Sequence, residues 1–278
     1  MSGVLYVVAT PLGNLDDLSP RARRILTEVD LIACEDTRHT RKLLNHFEIH
    51  TSTTSYHEHN EAAKTKVLVS RLLEGRQIAL VSDAGTPLVS DPGYRLVSAC
   101  REEKIAVYPV PGPSAAMAAL SVSGLPADRC LFVGFLPRRT APQRQQLETL
   151  AHEDSTLVIY LSPHGLIPTL QRIAEALGDR RAFLAREMTK LHETHHFGQL
   201  REILEAVAQE TPRGEYTLVI QRAPRGAPTV PSEFDVSAYV RGLMATRGLS
   251  QKEAIKVAAK ELGLPKREVY GKMLTADN

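Results

Sequence analysis

The chain has 278 residues, of which 43% are hydrophobic and 24% are charged, with a formal net charge of +2. This balance is typical of globular proteins and excludes a disordered or collagen-like chain, and the length suggests about two domains. So small a charge excludes a histone-like polyelectrolyte, so any affinity for nucleic acid must come from a local basic patch. Six Phe, eight Tyr and no Trp argue against a platform built mainly for stacking single-stranded bases.

The cysteines and the apolar segments indicate the compartment. Cys34, Cys100 and Cys130 are far apart and form no CxxC pair, which argues against a disulfide framework or a zinc knuckle and favours a reducing compartment. The N-terminal apolar run has no basic segment before it, unlike a signal peptide. The uncharged stretch 107–127 contains four prolines, which predicts a loop and a buried helix rather than a membrane span. We therefore expect a soluble cytoplasmic protein.

Short apolar runs alternate with amphipathic stretches along most of the chain. The runs are continuously apolar, as in strands that are covered on both faces. We predict strands at 5–9, 31–34, 78–82, 106–110, 131–135, 157–161, 183–185 and 218–221. We predict helices at 19–29, 37–47, 61–73, 92–101 and 164–177. This alternation predicts an α/β fold with parallel or mixed sheets.

Helix-start signals and proline-rich stretches predict the organisation of the chain. Ser19-Pro20 and Asp91-Pro92 each place an N-cap residue before a proline at the first helical position. The proline-rich stretch 108–114 suggests two α/β lobes, which we place at 1–112 and 113–223.

A third, helical domain is predicted at 232–278. The stretch 223–232 is rich in proline and glycine and predicts a linker before it. Ser250 and Glu253 then form a capping box for a helix that ends at Gly263. A second helix is predicted from 264 to 273, so the domain resembles a helix-turn-helix.

Five loops at the ends of predicted strands are candidates for ligand binding, because open α/β sheets bind ligands there. They are TPLGN at 10–14, SDAGTPLVSDPG at 82–93, VPGPSA at 110–115, AREMTK at 185–190 and GEYT at 214–217. The N-cap position explains Asp91, whereas nothing local explains Asp83, so we expect Asp83 to contact a ligand. No GxGxxG, GxxxxGK[ST] or GxSxG motif is present, which argues against dinucleotide, P-loop and hydrolase chemistry.

The order of these motifs resembles the tetrapyrrole methylase superfamily. VATPLGN, SDAGTPLVSDPG, VPGPSA, VGFLP and AREMTK occur in that order between residues 8 and 190. The segments CEDTR and YHEHN, with AREMTK, are similar to the bacterial branch that 2'-O-methylates a cytidine ribose of 16S ribosomal RNA. The resemblance runs from about residue 3 to residue 222 and extends to the C-terminal helices. It implies a homodimer of two α/β lobes with S-adenosyl-L-methionine (S-adenosylmethionine) in the cleft between them.

The resemblance also implies which residues bind the cofactor. They come from the first turn, the loop after 82, the loop before 115, a strand end and the start of the last strand: Leu12, Gly13, Asp83, Gly85, Thr86, Ser114, Ala115, Tyr160, Leu161, Glu215, Tyr216 and Thr217. Members that methylate tetrapyrroles carry a GGDP-type loop where this chain has SDAG. This departure argues against a porphyrinoid substrate and leaves cofactor binding intact.

Methyl transfer to a ribose hydroxyl requires no metal, because the sulfonium already activates the methyl group, but the hydroxyl proton needs an acceptor. Glu187, Asp36 and Lys190 are the candidate catalytic groups, and Arg38 is the candidate for holding a phosphate. Two structural alternatives stay open. Asp36 and Arg38 can belong to a solvated first helical turn with an ion pair, and Glu187 can form a structural pair with Arg186.

The basic residues that can contact RNA are local. They are Arg138, Arg139 and Arg144 after the VGFLP segment, and Lys252, Lys256, Lys260, Lys266, Arg267 and Lys272 in the terminal helices. Glutamates interleave with the latter group, so a solvated helical face is the alternative. The histidines at 57, 59, 192, 195 and 196 lack a zinc-site spacing, and we predict no metal.

The sequence therefore predicts an S-adenosylmethionine-dependent enzyme that 2'-O-methylates a cytidine in 16S ribosomal RNA, with the small ribosomal subunit as partner and no membrane association. Two alternatives remain. One is a methyltransferase that acts on a tetrapyrrole or another small molecule. The other is a regulator with a ligand-sensing α/β body and a helix-turn-helix reader, which binding to duplex DNA would favour.

Overall fold

The computed structural model describes residues 2–223, 234–262, 264 and 266–276. The chain divides into a larger compact unit, Met1–Ala151 with Ser155–Gln221, and a smaller one, His152–Asp154 with Arg222–Asn278. Within the described residues, every helix is too short or too polar to cross a bilayer. The three cysteines are free thiols.

The larger unit contains two five-stranded sheets. Its strands are β1 (Val4–Val8), β2 (Leu31–Cys34), β3 (Thr53–Ser55), β4 (Ile78–Val81), β5 (Ala106–Val110), β6 (Cys130–Phe135), β7 (Thr156–Leu161), β8 (Arg181–Arg186), β9 (Thr194–Gln199) and β10 (Tyr216–Ile220). The first sheet has the order β3-β2-β4-β1-β5 and is parallel throughout. The second has the order β6-β7-β10-β8-β9, in which only β6 and β7 run parallel. The predicted α/β fold is confirmed.

Helices cover both faces of each sheet. They are α1 (Pro20–Glu28), α2 (Thr37–His46), α3 (Glu61–Leu73), α4 (Tyr94–Glu102), α5 (Ala115–Val122), α6 (Thr140–Leu150), α7 (Leu166–Leu177) and α8 (Leu200–Ala208). In the first sheet, α1 and α2 share one apolar core, and α3 and α4 share the other. In the second, α6, α7 and α8 bury one face, and α5 covers the opposite face. Such double coverage explains why the central strands are continuously apolar.

Two edge strands, β3 and β9, were not predicted, because neither is a continuous apolar run of the kind found in the other two edge strands, β5 and β6. β3 consists of the partly buried residues Thr53–Ser55, and β9 alternates between partly buried and exposed positions and contains His195 and His196. An edge strand has one neighbour and needs no continuous apolar run. The sequence signal used for the central strands is therefore absent from these two.

The predicted N-cap at Asp91 is wrong. Helix α4 begins at Tyr94, and its N-cap is Gly93, which has φ 143°. A Cβ at Gly93 would lie 2.8 Å from Leu88 Cδ1 and 2.9 Å from Leu80 Cδ2. The chain must therefore make one further glycine-dependent turn after Pro92 before it becomes helical. In contrast, Ser19 is the N-cap of α1, and its side chain accepts from the Ala22 amide as predicted.

The smaller unit contains three helices in its described part: α9 (Val236–Arg247), α10 (Gln251–Glu261) and α11 (Lys266–Ala276). They pack around an apolar core that includes Val240, Ala258 and Val269. The predicted capping box of Ser250 and Glu253 at the start of α10 is confirmed. The predicted helix end at Gly263 and most of the predicted linker 223–232 lie outside the described residues. The domain boundaries stay predictions.

Candidate active site: the cleft between the two sheets

A cleft of about 1020 Å³ lies between the two sheets of the larger unit. From the first sheet's loops it is lined by Leu12, Glu58, Ala84, Gly85, Thr86, Val89, Ser90 and Asp91. The start of α5 and the second sheet with its helices supply the rest, including Ser114, Ala115, Phe135, Arg138, Gln143, Tyr160, Leu161, His164, Arg172, Glu215, Tyr216 and Thr217. Its volume matches the upper range of small-molecule sites.

Hydrogen bonds join three of the predicted ligand loops, those after β1, β4 and β5. The Thr10 amide donates to the Gly85 carbonyl at 2.8 Å, and the Gly85 amide donates to the Thr10 carbonyl at 3.0 Å. The Thr86 hydroxyl donates to the Pro113 carbonyl at 3.0 Å. Gly85 has φ 78°, a left-handed conformation that glycine adopts without strain. The loops after β1, β4 and β5 thus form one rigid wall of the cleft.

Of the twelve residues predicted to bind the cofactor, ten line the cleft, and Gly13 and Asp83 do not. A side chain at position 13 would overlap the aliphatic part of Lys190, so Gly13 admits that lysine. Asp83 Oδ1 accepts the Asp36 amide at 3.1 Å. Both residues therefore connect neighbouring loops in this structure.

The predicted catalytic pair Glu187 and Lys190 lies behind the start of β10. Glu187 Oε1 accepts from Lys190 Nζ at 2.9 Å and from the Glu215 amide at 2.9 Å. Lys190 Nζ also donates to Glu215 Oε2 at 3.1 Å. Burial favours a raised pKa for Glu187, but these hydrogen bonds outweigh it, so its pKa lies below the ordinary value. Burial favours a lowered pKa for Lys190, but the two carboxylates outweigh it and raise its pKa. Neither side chain lines the cleft.

The other predicted pair, Asp36 and Arg38, forms the first turn of α2. Asp36 is the N-cap and accepts from the Arg38 amide at 2.8 Å, and it pairs with the Arg38 guanidinium at 2.9 Å. These contacts lower the pKa of Asp36 to about 2, the side-chain bond from Arg38 contributing most. The Arg38 side chain is 87% exposed. The geometry favours the solvated-turn alternative for this pair.

Asp91 is a cleft residue that the sequence analysis missed. It is half-buried and lines the cleft. Burial, followed by the charge of Glu35, raises its pKa to about 6, with smaller contributions in the same direction from Asp83 and Glu215. Gly93, two residues later, is the sequence feature that could have shown that the helix starts after Asp91, since a glycine in a turn delays the helix start.

The cleft also carries basic and amide groups. Arg138 and His164 line it, and Arg172 does so while donating to Gln143 and, at 3.2 Å, to Thr169. Arg138 was predicted as part of a basic cluster. Gln143 and Arg172 were missed, because nothing local distinguishes them from other polar residues on amphipathic helices. The cleft lining therefore contains acidic groups at Asp91 and Glu215 and basic groups at Arg138 and Arg172.

Comparison with known proteins decides the family. The family described as "Tetrapyrrole (Corrin/Porphyrin) Methylases" matches residues 4–204. The chain belongs to this family. This methylase is 48% identical over 270 residues to "Ribosomal RNA small subunit methyltransferase I" of Synechocystis sp., with 96% of each chain covered. It is 44% identical over 271 residues to the protein of the same name from Escherichia coli O157:H7, covering 96% of this chain and 93% of that one.

Solved structures share the methylase fold at lower identity. Uroporphyrin-III-C-methyltransferase from Thermus thermophilus gives a TM-score of 0.56 at 22% identity, covering 79% of this chain and 94% of that one. Diphthine synthase gives a TM-score of 0.60 at 13% identity, covering 80% of this chain and 90% of that one. A second structure of the Thermus thermophilus protein, complexed with S-adenyl homocysteine, gives a TM-score of 0.55 at 18% identity. The match covers 78% of this chain and 96% of that one. These likenesses concern the fold.

The groups in the cleft fit the methylase cofactor, S-adenosylmethionine. At the start of α5 the Ser114 side chain makes no cap hydrogen bond, so the first amides of that helix are suited to a carboxylate. The carboxylate of Glu215 suits a positively charged group of the cofactor. Tyr160 makes edge contacts with Phe132 and Phe135, with ring centroids 5.1 and 5.5 Å apart, and such an apolar aromatic wall suits an adenine ring.

Proposed function

We propose that this methylase transfers the methyl group of S-adenosylmethionine to the 2'-oxygen of a cytidine ribose in 16S ribosomal RNA. The observation that carries the proposal is the cleft of about 1020 Å³, which is lined by loops suited to the cofactor and also by Arg138 and Arg172. A cofactor alone does not require these two arginines, whereas a nucleotide with its phosphate does. The full-length relatives named small-subunit ribosomal RNA methyltransferases support this substrate.

The alternative of a tetrapyrrole substrate has weaker support. The uroporphyrin-III-C-methyltransferase described above is only 22% identical in sequence to this chain. That likeness concerns the fold. The SDAG segment at 82–85 differs from the GGDP-type loop of tetrapyrrole-methylating members. It is anchored instead through Gly85 to Thr10 and through Asp83 to Asp36.

Within the cleft, the loop wall is proposed to hold the cofactor. Leu12, Gly85 and Thr86 approach the methionine and ribose end, and the first turn of α5 at Ser114 and Ala115 receives the carboxylate. Tyr160 and Leu161 wall the adenine, and Glu215–Thr217 close the far side. Glu187 and Lys190 act indirectly, because their bonds to Glu215 fix the start of β10.

RNA is proposed to approach the basic groups of the cleft. Arg138 and Arg172 line the cleft, and arginine binds phosphate through paired hydrogen bonds. The three-helix unit is proposed as a docking element for RNA within the small ribosomal subunit. With a net charge of only +2, recognition through shape and a few phosphates fits better than a broad electrostatic surface.

The methylase is further proposed to act in the cytoplasm as a homodimer. The larger unit exposes several large apolar side chains, including Leu191 at 93% exposure, Tyr94 at 75% and Phe197 at 56%. A contiguous patch of such side chains marks an interaction site, and the proposal places these side chains at the contact between two copies of the chain. Light scattering on the purified chain tests this proposal: a mass near twice 30.6 kDa supports the dimer, and a monomer at micromolar concentration contradicts it.

Incubation with methyl-labelled S-adenosylmethionine tests the proposed substrate. Small ribosomal subunits, extracted 16S RNA and a tetrapyrrole are offered in parallel reactions. We expect label in the RNA of at least one of the first two reactions and none in the tetrapyrrole. Label in the tetrapyrrole alone would contradict the proposed function.

A further inference from the structure

We infer that Asp91 is a catalytic residue that accepts the proton of the ribose 2'-hydroxyl during methyl transfer. The inference rests on the proposed function, and it names a group within the same cleft. It replaces the three acceptors suggested by the sequence. The structure gives each of those side chains other bonds and gives Asp91 access to the cleft.

The other candidates are already engaged. Asp36 caps α2 and is held by Arg38. Glu187 accepts from Lys190 and from the Glu215 amide, and Lys190 lies between the carboxylates of Glu187 and Glu215. A carboxylate that is stabilised as an anion in this way is a weak base, and a lysine between two carboxylates keeps its proton. In addition, all three side chains lie outside the cleft lining.

The backbone of the loop that carries Asp91 turns sharply and packs against the second sheet. Leu88 and Ser90 have φ 71° and 69°, so the backbone turns twice before Asp91 in a conformation unfavourable to side chains. A Cβ on Gly134 of β6 would lie 2.9 Å from Ser90 Oγ, so the loop lies directly against the second sheet. Because Gly93 caps α4, the Asp91 carboxylate is not used as the cap.

The charges around Asp91 suit a base that works near neutral pH. Burial contributes most to the raised pKa of Asp91. The charges of Glu35 after β2, Asp83 after β4 and Glu215 before β10 raise it further, while Ser82 lowers it. The cleft also contains Glu58, Arg138, His164 and Arg172. With a pKa of about 6, Asp91 is ionised at pH 7.5 and is a stronger base than an ordinary carboxylate.

The step balances without a further reactant. An electron pair of the 2'-oxygen forms the new bond to the methyl carbon, and the carbon–sulfur bond breaks with its electron pair left on sulfur. The hydroxyl proton passes to the Asp91 carboxylate, which then releases it to water. The positive charge of the sulfonium leaves as that proton.

Kinetics of Asp91→Asn in the full-length chain test the inference. We expect kcat to fall by at least about 100-fold, with the dissociation constant of S-adenosylmethionine changed less than threefold by calorimetry. Asp91→Glu should recover part of the activity. The wild-type kcat should rise with pH through about 6, and this limb should be absent from the residual activity of Asp91→Asn. Asp179→Asn is the matched control, since Asp179 is exposed, accepts the Arg201 amide and lies outside the cleft lining.

A readout independent of activity comes from carbon NMR of chains labelled at the aspartate carboxyl carbons. We expect one resonance that titrates near pH 6 in the wild type and is missing in Asp91→Asn. Titration of that resonance below pH 4, or a variant kcat within threefold of the wild type, would overturn the inference. If the wild type itself transfers no methyl to RNA, the proposed function fails instead, so the two failures are distinguishable.

Discussion

At the scale of single residues, Asp91 has a cost in stability that can be measured. Its pKa is raised from 3.8 to about 6, with burial as the main cause, so the folded chain binds its proton more tightly than the unfolded chain does. The ionised carboxylate therefore destabilises the fold above pH 6, and this cost disappears as the pH falls towards 3.8.

Asp91→Asn is accordingly expected to raise the free energy of unfolding of the larger unit by roughly 1–3 kcal/mol at pH 8. The difference from the wild type should shrink between pH 6 and pH 4, and Asp179→Asn should show no such trend. Denaturant titration at several pH values measures it. A variant less stable than the wild type at pH 8 would show that Asp91 is mainly structural.

Thr86 is the second residue whose role is testable. Thr86→Val removes the hydroxyl that donates to the Pro113 carbonyl and keeps the volume, so the loop after β4 loses its side-chain hydrogen bond to the loop after β5. We expect S-adenosylmethionine to bind about 5- to 20-fold more weakly, which corresponds to loss of one hydrogen bond of about 1–2 kcal/mol. Thr86→Ser retains the hydroxyl and is the control. Calorimetry that finds equal affinities for all three chains would remove Thr86 from the cofactor wall.

At the scale of elements, the sequence predicted what is local and apolar. The strands β2 and β5 coincide with their predicted ranges, and so does helix α3. Each of the two strands is an uninterrupted apolar run, although only β2 is buried throughout and β5 is a sheet edge. The edge strands β3 and β9 have one neighbour each and lack that run. Their existence follows from pairing with distant residues, which a local pattern does not encode.

In the site, too, the features encoded by local sequence could be predicted, and those that depend on distant residues could not. Four of the five motif-bearing loops could be predicted as cleft walls, since each follows or precedes a predicted strand, whereas AREMTK at 185–190 contributes no lining residue. The engagement of Glu187 by Lys190 and Glu215 depends on β8 and β10 being neighbours, and the position of Arg172 depends on how α7 packs. Asp91 was misassigned because a capping rule that considers two residues omits the turn imposed by Gly93.

The turn at Gly93 provides a test at this scale. Gly93→Ala combines a positive φ with a Cβ only 2.8 Å from Leu88 Cδ1, so we expect a loss of about 2–4 kcal/mol in unfolding free energy. Gly165→Ala is the control, because Gly165 has φ 76° and no atom within 4 Å of an added Cβ. It should lose about 1 kcal/mol. Equal losses measured by denaturant titration would mean that the close packing at Gly93 is unimportant.

At the scale of the whole molecule, we expect the larger unit to bind the cofactor and the three-helix unit to dock the RNA. The larger unit contains both sheets and the entire cleft lining, and the three-helix unit has an apolar core of its own. A chain that ends at Ala223 should therefore bind S-adenosylmethionine within threefold of the full chain's affinity and methylate RNA at least 10-fold more slowly. Calorimetry and label transfer measure the two properties. Full RNA activity of the shortened chain would show that the C-terminal helices are dispensable for docking.

The central claim is that the acceptor is a ribose oxygen of 16S RNA, and the chemical behaviour of the product tests it most directly. A 2'-O-methyl group removes the hydroxyl that attacks the adjoining phosphodiester in alkali, whereas a methyl group on the base leaves that hydroxyl in place. Small ribosomal subunits are incubated with the methylase and S-adenosylmethionine, and the extracted RNA is cleaved in alkali and mapped at nucleotide resolution. We predict one cytidine at which cleavage disappears only when both enzyme and cofactor are present. Incorporated methyl label at a nucleotide that still cleaves in alkali would contradict the account.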